Sequence, residues 1–131
     1  MNKIRVLVVE DDEVSAKAAR MMLEQLGCFV EIASDGTQAV ERFRDRDYDL
    51  VLMDAQMPIM DGFEATAQIR LMPGGQVTPI VGTTSGKGHA ECMEAGMNDV
   101  VPKPFLFDKM RYVLSRWTRW TPAPTPGTCQ A

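Results

Sequence analysis

The chain has 131 residues, 45% hydrophobic and 24% charged, the mix of an ordinary globular domain rather than a disordered or fibrous one. That length fits one domain, able to bury roughly two thirds of its unfolded surface without staples. The net charge of −4 is uneven: residues 1–64 carry 14 acids and 7 bases, residues 65–131 carry 4 acids and 7 bases, and the absence of a dense basic stripe argues against direct nucleic-acid binding.

No apolar run approaches the roughly 18 residues of a membrane span, so no membrane contact is expected. The opening run meets Glu10 too early for a secretory signal peptide. Cys28, Cys92 and Cys129 leave an odd thiol and no close metal spacing. They read as reduced thiols of a cytoplasmic protein.

In chain order, Ile4–Val9 is a nearly continuous β-branched run, the pattern of a strand buried on both faces. Val14, Ala18, Met22 and Leu26 recur every four residues after a cap candidate at Asp12 and before a stop at Gly27, which predicts a first helix. Phe29–Ala33 predicts a short strand, and Thr37–Arg46 a helix carrying Ala39, Val40 and Phe43. Asp49–Met53 predicts a third strand. Gly62–Leu71 predicts a helix with Phe63, Ala67 and Ile69, ending before Pro73-Gly74-Gly75. Pro79–Thr83 and Asp99–Val101 predict strands on either side of a short helix over Lys87–Ala95. The last helix carries Leu106, Met110, Val113, Leu114 and Trp117 on one face. Pro122 to Ala131 has three prolines and no apolar period, and reads as a disordered tail or linker. The division is therefore 1–120 domain and 121–131 tail.

Five strands alternating with five helices imply an α/β fold, a doubly wound five-stranded parallel sheet covered on both faces. Ligands of such sheets bind at the carboxyl ends of the strands. Those ends hold Glu10-Asp11-Asp12-Glu13, then Asp54, then Thr83-Thr84-Ser85, then Lys103-Pro104. Crowded carboxylates need a cation, and hard oxygen donors suit Mg²⁺ or another divalent ion. A strand-end carboxylate can also act as a nucleophile toward phosphorus. The charge it then carries would be balanced by Lys103 and a hydroxyl such as Thr84. Taken singly, each of these residues reads as a cap, a turn former or a solvated surface group; their joint placement carries the argument.

With these residues in hand, the chain resembles the receiver domain of two-component response regulators over about residues 3–120. The blocks are Val6-Leu7-Val8-Val9-Glu10-Asp11-Asp12, Met53-Asp54-Ala55-Gln56-Met57-Pro58-Ile59-Met60-Asp61-Gly62, Pro79–Ser85, Ala95-Gly96-Met97-Asn98-Asp99 and Lys103-Pro104-Phe105. The Gln56–Gly62 stretch looks most like receivers attached to hybrid sensor histidine kinases. The resemblance implies a flavodoxin-like sheet of order 2-1-3-4-5. It implies Asp54 as phosphoacceptor, with Glu10 and Asp11 as the acidic pair for Mg²⁺ and Asp12 left to cap the helix. Gln56 would lend a backbone carbonyl to the metal. Thr84 would be the switch hydroxyl beside a small Ser85, and Lys103 the ion-pair partner ahead of a cis Pro104. Pro58 and Gly62 would shape the loop after Asp54. The donor would be a phosphohistidine on a sensor histidine kinase or histidine phosphotransfer domain. A phosphorylation-dependent dimer is compatible with the resemblance.

One position departs from the pattern. Where the family often has Tyr or Phe, three residues before Lys103, this chain has Val100, which cannot make the aromatic swing coupled to the switch threonine. Output is therefore expected through the fourth helix and its loop, where Gly86 and Gly88 free the backbone. His89, the single histidine, reads as a surface residue, so the donor must lie elsewhere. Two docking faces are candidates: the first helix around Val14, Ala18 and Met21, and the surface of helix 4, strand 5 and helix 5. An output module does not fit in the residues after the fifth helix. The chain is expected to signal by docking, as a stand-alone receiver or as part of a larger protein.

Two other classes fit less well. A phosphohydrolase of the haloacid-dehalogenase type wants an Asp two residues after its nucleophile, and Gln56 stands there. A flavodoxin-like electron carrier wants a phosphate cradle after the first strand, where this chain has four acids. The expectation is a signalling switch and not an enzyme, with at most self-phosphorylation and slow autodephosphorylation.

Overall fold

A computed structural model describes residues 3–55, 61–85, 88–104 and 106–121. Gln56, Pro58, Gly86, Phe105, Cys129 and the tail expected beyond Thr121 lie outside the described residues. The elements alternate: β1 (Arg5–Val9), α1 (Glu13–Gln25), β2 (Phe29–Ala33), α2 (Gly36–Asp45), β3 (Leu50–Asp54), α3 (Gly62–Arg70), β4 (Ile80–Thr84), α4 (His89–Glu94), β5 (Asp99–Pro102) and α5 (Phe107–Trp117). All strand pairs are parallel and the order is β2-β1-β3-β4-β5. Each strand agrees with the sequence reading to within one residue. The short fourth helix starts two residues later than expected.

The continuous apolar runs are explained by two cores. In β1, Val6 and Val8 face one core with Leu23 of α1 and Met110, Val113 and Leu114 of α5. Leu7 and Val9 face the other, with Val40 and Phe43 of α2 and Ala65 and Ile69 of α3. Strand side chains alternate between faces, so a sheet covered on both sides has no polar position to spare. β3 and β4 are buried at every residue.

The acids of the first half have local work. Asp12, Asp35 and Asp61 cap α1, α2 and α3, accepting from Ser15 N at 2.9 Å, Gln38 N at 2.8 Å and Glu64 N at 2.9 Å. Each such cap stabilises by about 1 kcal/mol. Glu31 accepts the Tyr48 hydroxyl at 2.5 Å and pairs with Arg46 at 3.5 Å.

The first helix differs from its sequence reading. Its buried residues are Ala16, Ala19 and Leu23, whereas Val14 is 76% exposed and Ala18 and Met22 only half-buried. The every-fourth-residue pattern drifts round a helix of 3.6 residues per turn, and the two small alanines let α1 approach the sheet. In α3 likewise, Ala67 is exposed and Ala65, Thr66 and Ile69 are buried. In α5, Leu106 precedes the helix and is exposed, while Met110, Val113 and Leu114 are buried. Cys92 is fully buried among apolar side chains, as expected of a small hydrophobe.

Candidate functional site

Parallel pairing brings the strand ends abreast. Val9 is level with Met53, so Glu10 and Asp54 lie side by side; Asp54 is level with Thr83, and Thr84 with Pro102. Backbone bonds fix these ends: Ala55 N donates to Thr83 O at 3.0 Å, and Lys103 N to Thr84 O at 2.7 Å. The sheet changes its direction of winding around β1, which opens a crevice above β1 and β3.

The structure brings Glu10, Asp11, Asp54, Thr84 and Lys103 to this crevice edge. Glu10 is 2% exposed and Asp54 3% exposed. Lys103 Nζ lies 2.8 Å from Glu10 Oε1 and 3.2 Å from Asp54 Oδ2. One ammonium therefore bridges two buried carboxylates. Asp11 is exposed, and Glu10, Asp11 and Asp54 each offer an oxygen within 4.8 Å of the others. Asp12 turns away to cap α1 and Glu13 enters its first turn. Thr84 is buried at the end of β4, while Ser85 is exposed. The Lys103–Pro104 peptide is cis. Gln56 lies outside the described residues.

The titration of the site follows from burial. Burial raises the Glu10 carboxyl above its ordinary value, and hydrogen bonding with Asp54 adds to the rise against the opposing pull of Lys103. Burial lowers the Lys103 ammonium, but the Glu10 hydrogen bond and the Asp54 and Glu10 charges outweigh it, so the net shift is upward. Three carboxylates against one ammonium leave the crevice negative. Like charges this close repel by about 3–4 kcal/mol per pair at an effective dielectric near 20. Hard oxygen donors with excess negative charge are the donor set of Mg²⁺, so the residues present fit a divalent cation.

Gly62, the first residue of α3, touches the back of Asp54. A Cβ there would come within 2.3 Å of the Asp54 carbonyl oxygen, so α3 can reach this strand end only through glycine. His89 is exposed at the first position of α4, away from a donor role.

Residues 6–115 match the family model described as "Response regulator receiver domain". The chain belongs to that family. This receiver is 44% identical over 121 residues to the two-component response regulator ORR41 of Oryza sativa subsp. japonica, with 87% of this chain and 94% of that protein covered. It is 43% identical over 119 residues to the transcription factor SKN7 of Chaetomium thermophilum, covering 87% of this chain but 15% of that protein. The match to hybrid signal transduction histidine kinase G of Dictyostelium discoideum spans 4% of its length. Receivers like this one thus occur alone and as small parts of longer proteins.

Among solved structures, the receiver superimposes with a TM-score of 0.84 and 38% identity on the receiver domain of sensor histidine kinase PA1611 from Pseudomonas aeruginosa. That match covers 88% of this chain and 98% of that one, and that structure has a magnesium ion coordinated in its active site cleft. It also superimposes, with a TM-score of 0.82 and 25% identity over 88% of this chain and 89% of that one, on a complex from Saccharomyces cerevisiae. There a histidine phosphotransfer protein is bound to the receiver domain of its downstream response regulator.

Arg70 was not singled out from sequence. A cation ending a helix reads as a complement to the helix dipole, and nothing in the local pattern reveals its long-range contacts with Gly96 and Asn98.

Proposed function

We propose that this receiver takes a phosphoryl group from a partner phosphohistidine onto Asp54. The observation that carries the reading is the pairing of buried Asp54 with Lys103 at 3.2 Å, beside two further carboxylates. The Asp54 carboxylate attacks phosphorus and forms the O–P bond. The P–N bond breaks, and its electron pair and a proton leave with the imidazole. Hydrolysis of the aspartyl phosphate later restores Asp54, so the domain is a switch with slow autodephosphorylation rather than a metabolic enzyme.

Glu10, Asp11, Asp54 and the Gln56 carbonyl are the groups that would hold Mg²⁺. When bound, the ion supplies positive charge against the phosphoryl oxygens. Lys103 steadies Asp54 and balances the added charge. The Thr84 hydroxyl donates to a phosphoryl oxygen. A small Ser85 leaves room beside it.

The donor is a sensor histidine kinase or histidine phosphotransfer domain; a histidine phosphotransfer protein is the partner bound to the yeast relative. Val14, 76% exposed, and Met21, 60% exposed, give α1 an apolar face next to the site for such a partner. Residues 1–120 form the receiver and 121–131 a tail or linker, and the domain works in the cytoplasm alongside its phosphohistidine donor. None of the described helices is long and apolar enough to cross a membrane. The α4–β5–α5 surface is the second docking face and the candidate for a phosphorylation-dependent dimer.

Incubation with Mg²⁺ and acetyl phosphate tests the reading by intact mass. One phosphoryl group should add to the unmodified chain, and none should add to Asp54→Asn or in the presence of a chelator. No Mg²⁺-dependent addition to the unmodified chain would defeat it.

A further inference from the structure

Arg70 ends α3 at the starting end of β4, away from the acidic crevice that the first residue of α3 touches. Its guanidinium uses all five N–H donors. Nη1 donates to Gly75 O and Thr78 O, both at 2.7 Å. Nε and Nη2 donate to Gly96 O at 3.0 and 2.7 Å, and Nη2 also donates to Asn98 Oδ1 at 2.7 Å. No carboxylate is among these partners. Asn98 Oδ1 accepts from Ile80 N as well, at 2.8 Å. One side chain thus ties the end of α3, the loop to β4, the start of β4 and the turn after α4. Charge-assisted bonds in a rigid fork fix geometry as well as energy. Gly96 takes φ 108°, and its α-carbon faces Arg70 closely: a Cβ would sit 3.5 Å from Arg70 Cγ.

The two ends of α4 therefore differ. Beyond the Arg70 clasp, Met97 and Cys92 press their sulfurs against the bare backbone of Gly82 in β4. At the other end, the cap is Gly88 at φ 91° with no side-chain hydrogen bond, and Cys92 is the one buried residue of the helix. First-turn N–H groups without a cap hold a helix end weakly. Thr84 ends β4 four residues before Gly88. α5 likewise starts at a residue, Leu106, that makes no side-chain cap hydrogen bond, but its far end is tied down. Trp117 Nε1 donates to Asp99 Oδ2 at 3.1 Å, Trp120 Nε1 to Leu26 O at 2.7 Å, and Arg119 pairs with Asp49 at 2.9 Å.

We propose that Arg70 is the fixed fulcrum of α4, so that phosphorylation rocks the Gly88 end of the helix while the Gly96 end stays bound to α3. The inference rests on Asp54 as acceptor. It gives the chain an output route that needs no aromatic at Val100, and Arg70 acts as a positioning residue, not a catalytic one.

Amide exchange measured by NMR tests it, with Mg²⁺ and beryllofluoride as the probe and fluorine NMR as an independent report of binding. Cys92 N bonds to Gly88 O at 2.9 Å, whereas Gly96 N bonds to Met93 O at 3.1 Å and Met97 N to Cys92 O at 3.2 Å. Beryllofluoride should change Cys92 amide exchange by about tenfold or more and leave Gly96 and Met97 within about twofold, as local opening of one helix end allows. In Arg70→Lys, which keeps the charge but loses the fork, Gly96 and Met97 should exchange faster and now respond to beryllofluoride. Equal responses at both ends of α4 in the unmodified chain, with the fluorine signal present, would overturn the fulcrum alone. Absence of a bound fluorine signal would overturn the acceptor reading and the fulcrum with it.

Discussion

Lys103 serves two buried carboxylates at once, and each depends on it differently. Glu10 Oε1 is the nearer, at 2.8 Å, and Asp54 Oδ2 the farther, at 3.2 Å. Removing one partner of such a group leaves charge uncompensated, a cost of 3–5 kcal/mol for a fully buried pair. The Lys103 side chain is 25% exposed, so solvent screening reduces that figure. Lys103→Ala should destabilise the metal-free domain by about 1–3 kcal/mol in urea titrations. It should keep Mg²⁺ binding, because every carboxylate remains, yet weaken the conformational response to phosphorylation. An unaltered response would remove Lys103 from its proposed role. Cys28 titrates for a simpler reason. Burial, reinforced by the Asp49 charge, pushes its thiol from 9.0 to about 11. The fold favours the neutral thiol, so the folded chain keeps this proton to higher pH than the unfolded one. Stability is then untouched below pH 9 and falls as pH rises from about 9 to 11, by at most roughly 3 kcal/mol. Denaturation curves across that range should show the decline in the unmodified chain and a shallower one in Cys28→Ala.

At the scale of elements, strands were legible because a sheet covered on both faces writes its strands as unbroken apolar runs. The helices were legible in extent and less so in facing. Asp12 and Gly27 mark both ends of α1, but the strip Val14–Ala18–Met22 looked apolar on the wrong side. Alanine carries little hydrophobic signal, so Ala16 and Ala19 did not stand out against it. The faces predict opposite outcomes. Leu23→Ala should cost about 2–5 kcal/mol, the range for a deleted core leucine. Val14→Ala should change stability by less than about 0.5 kcal/mol, as surface substitutions do. Equal losses in chemical denaturation would mean that α1 is rotated from the position described. α4 is the shortest described helix, six residues long, and its Gly88 cap makes no side-chain hydrogen bond.

Over the whole molecule, the charge asymmetry of the chain becomes spatial. Front-half acids supply three helix caps and the carboxylates of the crevice, and Lys103 reaches across to Glu10 and Asp54 from the more basic half. The crevice residues could be read from sequence because each follows a recognisable apolar run. Arg70 could not, because its partners other than Asn98 Oδ1 are backbone carbonyls, which leave no residue-type signature. Excess negative charge at the crevice predicts that Mg²⁺ stabilises the fold through binding to the native state alone, by about 2.7 kcal/mol at a hundredfold excess over its dissociation constant. Thermal melts in Mg²⁺ and in chelator should show that gain, and Asp11→Asn should reduce it.

Everything proposed for this receiver turns on Asp54 accepting the phosphoryl group, which residue mapping after transfer from a phosphorylated histidine phosphotransfer protein tests. Borohydride reduction converts an aspartyl phosphate to homoserine, which mass spectrometry of peptides locates. Homoserine is expected at position 54, dependent on Mg²⁺ and absent elsewhere. Modification at another acid, or none at 54 despite transfer, would contradict it.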